Sequence, residues 1–252
     1  MKNGIAILAL ACASCLPLAA MGQQEEEQSS FVYATYMNCD TTRQEEADAI
    51  VATIQKPIME AAVANGTITG WGWLAHHTGG KWRRIRYHSA NSMPELLAAL
   101  ETIGAQVDEA LGDDTSFGSI CNQHDDYIWR SVTGSSGDAI GEDRGKAGLS
   151  VYYQCDIALE DRADEIVETI FAPIYNAHVG KGMLNSWGWS EHIVGGKYRR
   201  LATMTADDWP TLLKMRAAIF EDMDEQDNPL ADYFGEICGS HSDYMWDIQF
   251  EG

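Results

Sequence analysis

Basic residues are scarce. The 252-residue chain has 17 lysines and arginines against 38 aspartates and glutamates, a formal charge of −21. Such a surface repels a phosphate backbone, which excludes nucleic acid as a partner, and it disfavours anionic membranes for the same reason. Its ordinary service is solubility. Beyond the first twenty residues no C-x-x-C occurs, so neither a zinc ribbon, a dithiol redox motif nor a C-x-x-C-H haem attachment is encoded there. G-x-S-x-G, H-E-x-x-H and phosphate-loop signatures are also missing. Beyond the first twenty residues no apolar run is long enough to span a bilayer.

What is present begins with an export signal. Lys2 precedes an apolar run, Ile5–Ala20, and Ala20-Met21-Gly22 fits a small-x-small cleavage pattern. Residues 1–22 read as a signal peptide and 23–30 as an acidic leader. The chain is therefore expected in the periplasm or secreted, with no transmembrane segment after signal removal. Cys12 and Cys15 offer a lipoprotein alternative, although neither has a Leu-small-small lead-in. The four remaining cysteines, Cys39, Cys121, Cys155 and Cys238, are an even set in an exported chain and predict disulfides.

The mature chain is a duplication. The stretch Gly70–Arg86, G-W-G-W-L-A-H-H-T-G-G-K-W-R-R-I-R, returns at Ser186–Ala202 as S-W-G-W-S-E-H-I-V-G-G-K-Y-R-R-L-A. A shift of 116 aligns Cys39–Glu109 with Cys155–Glu225 without a gap, and 29 of the 71 pairs are identical. After a one-residue insertion the register resumes, with Tyr127-x-Trp129 against Tyr244-x-Trp246. Repeat one spans 31–132, a Gly/Ser-rich linker 133–148, and repeat two 149–252.

Each copy reads alike. Val32–Cys39 and Ser150–Cys155 are rich in Tyr, Val and Cys and predict a first strand. Ala47, Ile50, Val51, Ile54, Ile58 and Ala61 recur at helical spacing, matched 116 residues later, with Pro57 and Pro173 predicting a kink or break. The Gly79-Gly80 and Gly195-Gly196 pairs predict a turn between two aromatic strands. A second helix starts near Pro94 or Pro210. A last strand holds Asp126–Ser131 or Asp243–Gln249.

The order β-α-β-β-α-β, twice, is the ferredoxin-like motif. Two such units in tandem resemble the dimeric α+β barrel superfamily, in which two four-stranded sheets face each other. The expected fold is thus α+β: two ferredoxin-like repeats forming an intrachain pseudo-dimeric barrel, monomeric as a chain. Members of that superfamily include antibiotic-biosynthesis-type monooxygenases, haem-degrading oxygenases and chlorite-dismutase-like haem proteins. No catalytic signature of any member is present, so no active site carries over by residue. In the motif, first and last strands are antiparallel neighbours. That placement predicts the pairs Cys39–Cys121 and Cys155–Cys238.

Candidate site residues follow. Trp71 and Trp73, with Trp187 and Trp189, share a strand face and either stack on a ligand or cover a helix. One arginine of each pair, Arg83-Arg84 and Arg199-Arg200, is a candidate to face the barrel and bind an anion. His76 and His192 end the second strands. They lie about 14 Å from His124 and His241 across three strand spacings, too far to share a metal within one repeat, and no metal site is predicted. His124-x-Asp126 and His241-x-Asp243 offer an acid–base pair or turn chemistry. Tyr36 and Asn38, matched by Tyr152 and Gln154, put polar-aromatic side chains on a central strand, as a ligand-holding barrel interior would. The expected function is binding of a small aromatic or anionic molecule in the barrel by Tyr36, Trp71, Trp73, His76, Arg83, Arg84 and their partners, without a cofactor. Alternatives are an oxygenase-type enzyme, cofactor-independent or haem-assisted, and a noncatalytic envelope or secreted interaction protein.

Overall fold

The structure, a computed structural model, describes residues 30–136 and 144–252. The signal segment 1–22 and the leader up to residue 29 lie outside the described residues. Repeat one comprises β1 (Phe31–Asn38), α1 (Gln44–Ile50), α2 (Lys56–Ala64), β2 (Gly70–Thr78), β3 (Arg84–Ala90), α3 (Met93–Leu111), α4 (Ser116–Ile120) and β4 (Gln123–Ser136). Repeat two comprises β5 (Ala147–Gln154), α5 (Glu160–Ile166), α6 (Ala172–Gly180), β6 (Ser186–Val194), β7 (Arg200–Ala206), α7 (Trp209–Glu225), α8 (Pro229–Ile237) and β8 (Ser240–Glu251). Strand occupies both ends of the segment read as a linker. Among the described residues no helix is long and apolar enough to cross a membrane.

The expectation of two ferredoxin-like units, each with its own four-stranded sheet, is corrected. All eight strands form one closed antiparallel barrel in the order β1-β3-β2-β8-β5-β7-β6-β4. The reason lies in the last strands, which are longer than the sequence reading allowed. β4 pairs with β1 over Gln123–Arg130, then continues against β6 through Ser136. β8 likewise pairs with β5 and with β2. Closure leaves no edge on either half, where a separate sheet would expose unpaired N–H and C=O groups. Each copy also gains a short helix before its last strand, α4 or α8, that the periodicity did not reveal.

The helices pack on the outside of the barrel. α1 runs into α2 through one wider turn of π-helix, Val51–Gln55, and Val167–Phe171 does the same between α5 and α6. Pro57 and Pro173 follow directly. Proline has no N–H for the ladder, and the wider turn absorbs its ring without breaking the helix. α3 and α7 begin with side-chain caps: Ser92 accepts from the Glu95 N–H, and Asp208 from the Thr211 N–H.

One contact recurs where α1 and α5 meet the barrel. The Arg84 Nε and Nη2 donate to the two carboxylate oxygens of Asp48 at 2.7 and 2.6 Å. The Trp73 indole N–H joins the same carboxylate at 2.8 Å. Arg200, Asp164 and Trp189 repeat the arrangement at 2.7, 2.6 and 2.7 Å. Arg200 has Glu160 as a further partner at 3.1 Å, whereas Arg84 has Gln44, a neutral acceptor, at 2.5 Å.

The Gly-Gly turns hold the copies together. Gly79 and Gly195 have φ of +132° and +144°, values that side-chain-bearing residues rarely adopt. A Cβ on Gly80 would collide with the Tyr244 ring, and one on Gly196 with Tyr127. Each hairpin therefore lies on an aromatic ring of the other copy.

The disulfides Cys39–Cys121 and Cys155–Cys238 form as expected, each within one copy. Disulfides persist in oxidising compartments. They span separations of 82 and 83 residues, for which the chain-entropy relation gives about 4.5 kcal/mol each. Denaturant midpoints with and without reductant should differ accordingly, and a mass map should return these two pairs and no Cys39–Cys155 link. Removing one carboxylate of the buried clamps tests a second point. Asp48→Ala strands the Arg84 charge and should cost about 3 kcal/mol or more. Asp164→Ala should cost less, because Glu160 remains. Equal losses in urea unfolding would contradict this reading.

Candidate functional site

The sequence candidates separate into three groups. Trp71, Trp73, Trp187 and Trp189 are buried on the outer face of the barrel, in the clusters beneath the helices. Arg84 and Arg200 share that face and are engaged by the clamps. These six residues do not line the barrel cavity. Strand alternation explains it, since positions 71, 73, 84, 187, 189 and 200 all fall on the helix-facing side.

His76, Arg83, His192 and Arg199 form the second group, at one end of the barrel. Arg83 Nη1 lies 3.4 Å from His76 Nε2, and Arg199 Nη1 lies 2.7 Å from His192 Nδ1. Burial first, and then the adjacent guanidinium, lowers the pKa of both histidines, so the rings face the arginines as neutral acceptors. Each ring also meets aromatics of the opposite copy edge-on, His76 on Tyr244 and Trp246, His192 on Tyr127 and Trp129. His124 and His241 sit beside Asp126 and Asp243 at 2.8 and 2.6 Å on the exposed strand entrances. Among the described residues no group of three or more metal-ligand side chains converges.

Tyr36 and Tyr152 form the third group, and they point inward. With Trp82, Tyr127, Trp129, Tyr198, Tyr244 and Trp246 they fill one half of the barrel with interlocked rings. Trp82 stacks on Tyr36 at 4.4 Å, while Tyr36 meets Tyr152 edge-on at 5.4 Å. Burial pushes both phenols far above their ordinary pKa, so they stay protonated.

Above this aromatic floor lies a cavity of about 170 Å³. Its two walls differ. Repeat one supplies Val32, Ala34, Leu74 and Ile85. At the matching positions repeat two supplies Gly148, Ser150, Ser190 and Leu201. Thr203 stands at the position matching Tyr87. One wall is therefore apolar and the other carries small hydroxyls. The floor is asymmetric as well. The Trp129 N–H donates to the Tyr36 hydroxyl at 3.1 Å, but the N–H of its counterpart Trp246, fully buried, has no partner among the described residues. A buried unpaired donor costs about 1–3 kcal/mol, and a bound acceptor removes that cost.

At the mouth, Arg144 pairs with Glu251. The Tyr87 hydroxyl donates to Glu251 and accepts from Arg144, each at 2.5 Å. An adjoining cleft of about 470 Å³ shares Val32, Tyr87 and Arg144 with the cavity.

A haem does not fit this cavity. Its volume is below the range of ordinary cofactor pockets, about 300–1,000 Å³. No histidine or cysteine lines it, and its buried phenols are held in the protonated form, which is a poor axial ligand. His178 is buried but is bound to Asp222 at 2.8 Å and lines neither this cavity nor the one beneath α7.

Of the residues around this cavity and its adjoining cleft, the sequence reading singled out Tyr36 and Tyr152 and passed over Trp246, Ser150, Ser190, Tyr87, Arg144 and Glu251. The usable signal was the difference between copies: Ala34 against Ser150, Leu74 against Ser190, Tyr87 against Thr203. Similarity drew notice to the shared Trp and Arg positions, which turned out to hold helices.

No protein-family profile matches the sequence, and no curated protein matches it. Solved structures do match in fold. A "putative monooxygenase" from Fusobacterium nucleatum subsp. nucleatum superposes with a TM-score of 0.61 at 7% identity, covering 88% of this chain and 93% of that one. A "putative monooxygenase" from Lactobacillus acidophilus NCFM gives 0.59 at 5% identity, covering 89% and 96%. An anthrone oxidase-like protein gives 0.57 at 12% identity, covering 90% and 94%. At such identities the likeness is one of fold alone. The chain has the fold of the dimeric α+β barrel superfamily, with both halves of the barrel carried on one polypeptide.

Proposed function

We propose that the barrel cavity binds a single-ring aromatic molecule bearing an acceptor oxygen. The observation that carries this reading is the broken symmetry of the cavity. One wall is apolar, the other bears hydroxyls, and the Trp246 N–H stands unpartnered at the floor. Cavities near 150 Å³ accept benzene, so about 170 Å³ suits one substituted ring and excludes polycyclic ligands. Arg144, already neutralised by Glu251, is not offered to an anionic ligand. The protein would act in the periplasm or outside the cell, in keeping with the apolar leader and the disulfides.

A second reading, cofactor-independent oxidation of the bound ring, draws support from the fold shared with the "putative monooxygenases" and the anthrone oxidase-like protein. The chain's part in such a reaction would be to hold the ring against the hydroxyl wall and exclude water.

Binding is tested with acetophenone against ethylbenzene, rings that differ by the carbonyl. Trp246→Phe should weaken acetophenone roughly fivefold, the equivalent of a hydrogen bond worth ~1 kcal/mol, and leave ethylbenzene unchanged. Ala34→Leu, which fills the apolar wall, should abolish binding of both. Unchanged acetophenone affinity in both folded variants would sink the proposal. Turnover is tested by dissolved-oxygen uptake with hydroquinone: the oxidation reading expects uptake that Ala34→Leu removes, and uptake equal to buffer leaves binding alone.

A further inference from the structure

A second cavity, about 320 Å³, lies outside the barrel between the sheet and α3. Gln55, Arg86 and His88 supply its polar side, and Met59, Ile103 and Val107 an apolar one. The His88 side chain is 3% exposed, yet its Nε2 has no hydrogen-bond partner among the described residues. The ring is steadied by stacking on Tyr33 at 5.7 Å. Burial, reinforced by the Arg86 charge, pushes His88 down to about 4, so it is neutral at pH 7. Arg86 Nη1 donates to Gln55 Oε1 at 3.0 Å. Among the described residues no carboxylate pairs with Arg86, in contrast to Arg84 and Arg200. Burial lowers the Arg86 pKa, against the opposing pull of Tyr33 and Asp126.

The second copy is an internal control. At the positions matching Gln55, Arg86 and His88 it has Phe171, Ala202 and Met204, which join its apolar cluster. Those three positions of the same helix-on-sheet packing are thus filled without a polar side chain. An orphan imidazole nitrogen costs stability, as does a half-buried guanidinium with no carboxylate in ion-pair contact, and packing gives no reason for them.

We propose that this cavity is a ligand site, separate from the barrel, for a monocarboxylate with an apolar tail. The carboxylate accepts from the Arg86 guanidinium and the His88 Nε2–H, a charge-assisted pair of bonds. The tail lies along Met59, Ile103 and Val107. Asp108 and Asp114, exposed at the rim, disfavour a second negative charge on the ligand.

Calorimetric titration with octanoate and with octan-1-ol tests this. Octanoate should bind at one saturable site, more than about tenfold tighter than octanol, a margin expected of a paired charge. Arg86→Ala should weaken octanoate by about tenfold or more. Because the loss of Arg86 risks unfolding, His88→Met provides an independent variant. It reproduces Met204 of the second copy, which packs in that copy's apolar cluster, and it removes the Nε2–H while leaving Arg86 in place. It should weaken octanoate about fivefold or more without lowering the melting temperature. The proposal is overturned by octanoate affinity unchanged in His88→Met, by equal affinity for octanol, or by no saturable binding at millimolar octanoate. A loss of octanoate binding in Ala34→Leu would assign the ligand to the barrel and equally overturn it.

Discussion

The arrangement depends on a carboxylate clamp used twice. Asp48 takes both forks of Arg84 and the indole of Trp73, and Asp164 does the same for Arg200 and Trp189. Each clamp fixes a helix to two adjacent strands at once, since the Arg and the Trp sit on neighbouring strands of one hairpin. The guanidinium charges are buried, so the pairing is needed less as a gain than to avoid a stranded ion. Geometry at α1 and α5 then fixes the outer layer, and the inner face of the same strands is left free to vary.

What varies is informative because everything around it is held. The aromatic floor keeps near two-fold symmetry: Tyr127 lies parallel to Trp129 at 5.0 Å and Tyr244 to Trp246 at 5.2 Å. Against that regular background the exchange of Ala34 for Ser150 and Leu74 for Ser190 stands out, as does the replacement of Gln55, Arg86 and His88 by apolar residues. Both candidate cavities are places where the copies diverge at several contacting positions together.

The sequence made the duplication and the order of all but the short helices legible, because period and turn chemistry are local or internally repeated signals, and the resemblance to a known motif then set each cysteine beside its partner. Closure of the barrel was not legible. It depends on how far β4 and β8 run past their first partners, and Val132–Ser136 has the Gly/Ser composition of a linker. The site was half legible. Tyr36 and Tyr152 stood out as polar rings on central strands, but the tryptophans and arginines drew notice through recurrence, and recurrence in a duplicated chain marks what both copies need structurally. Arg86 and His88 were passed over because nothing in the second copy matched them.

The covalent join between the copies has a chemical consequence for the cavity at their centre. A barrel assembled from two identical subunits must present every inward side chain twice, related by a two-fold axis, so a ligand there meets the same surface on both sides. Carrying both halves on one chain lifts that restriction. Ala34 and Ser150 can face each other across the cavity only because they are encoded separately, and a ligand held between them has a single preferred direction.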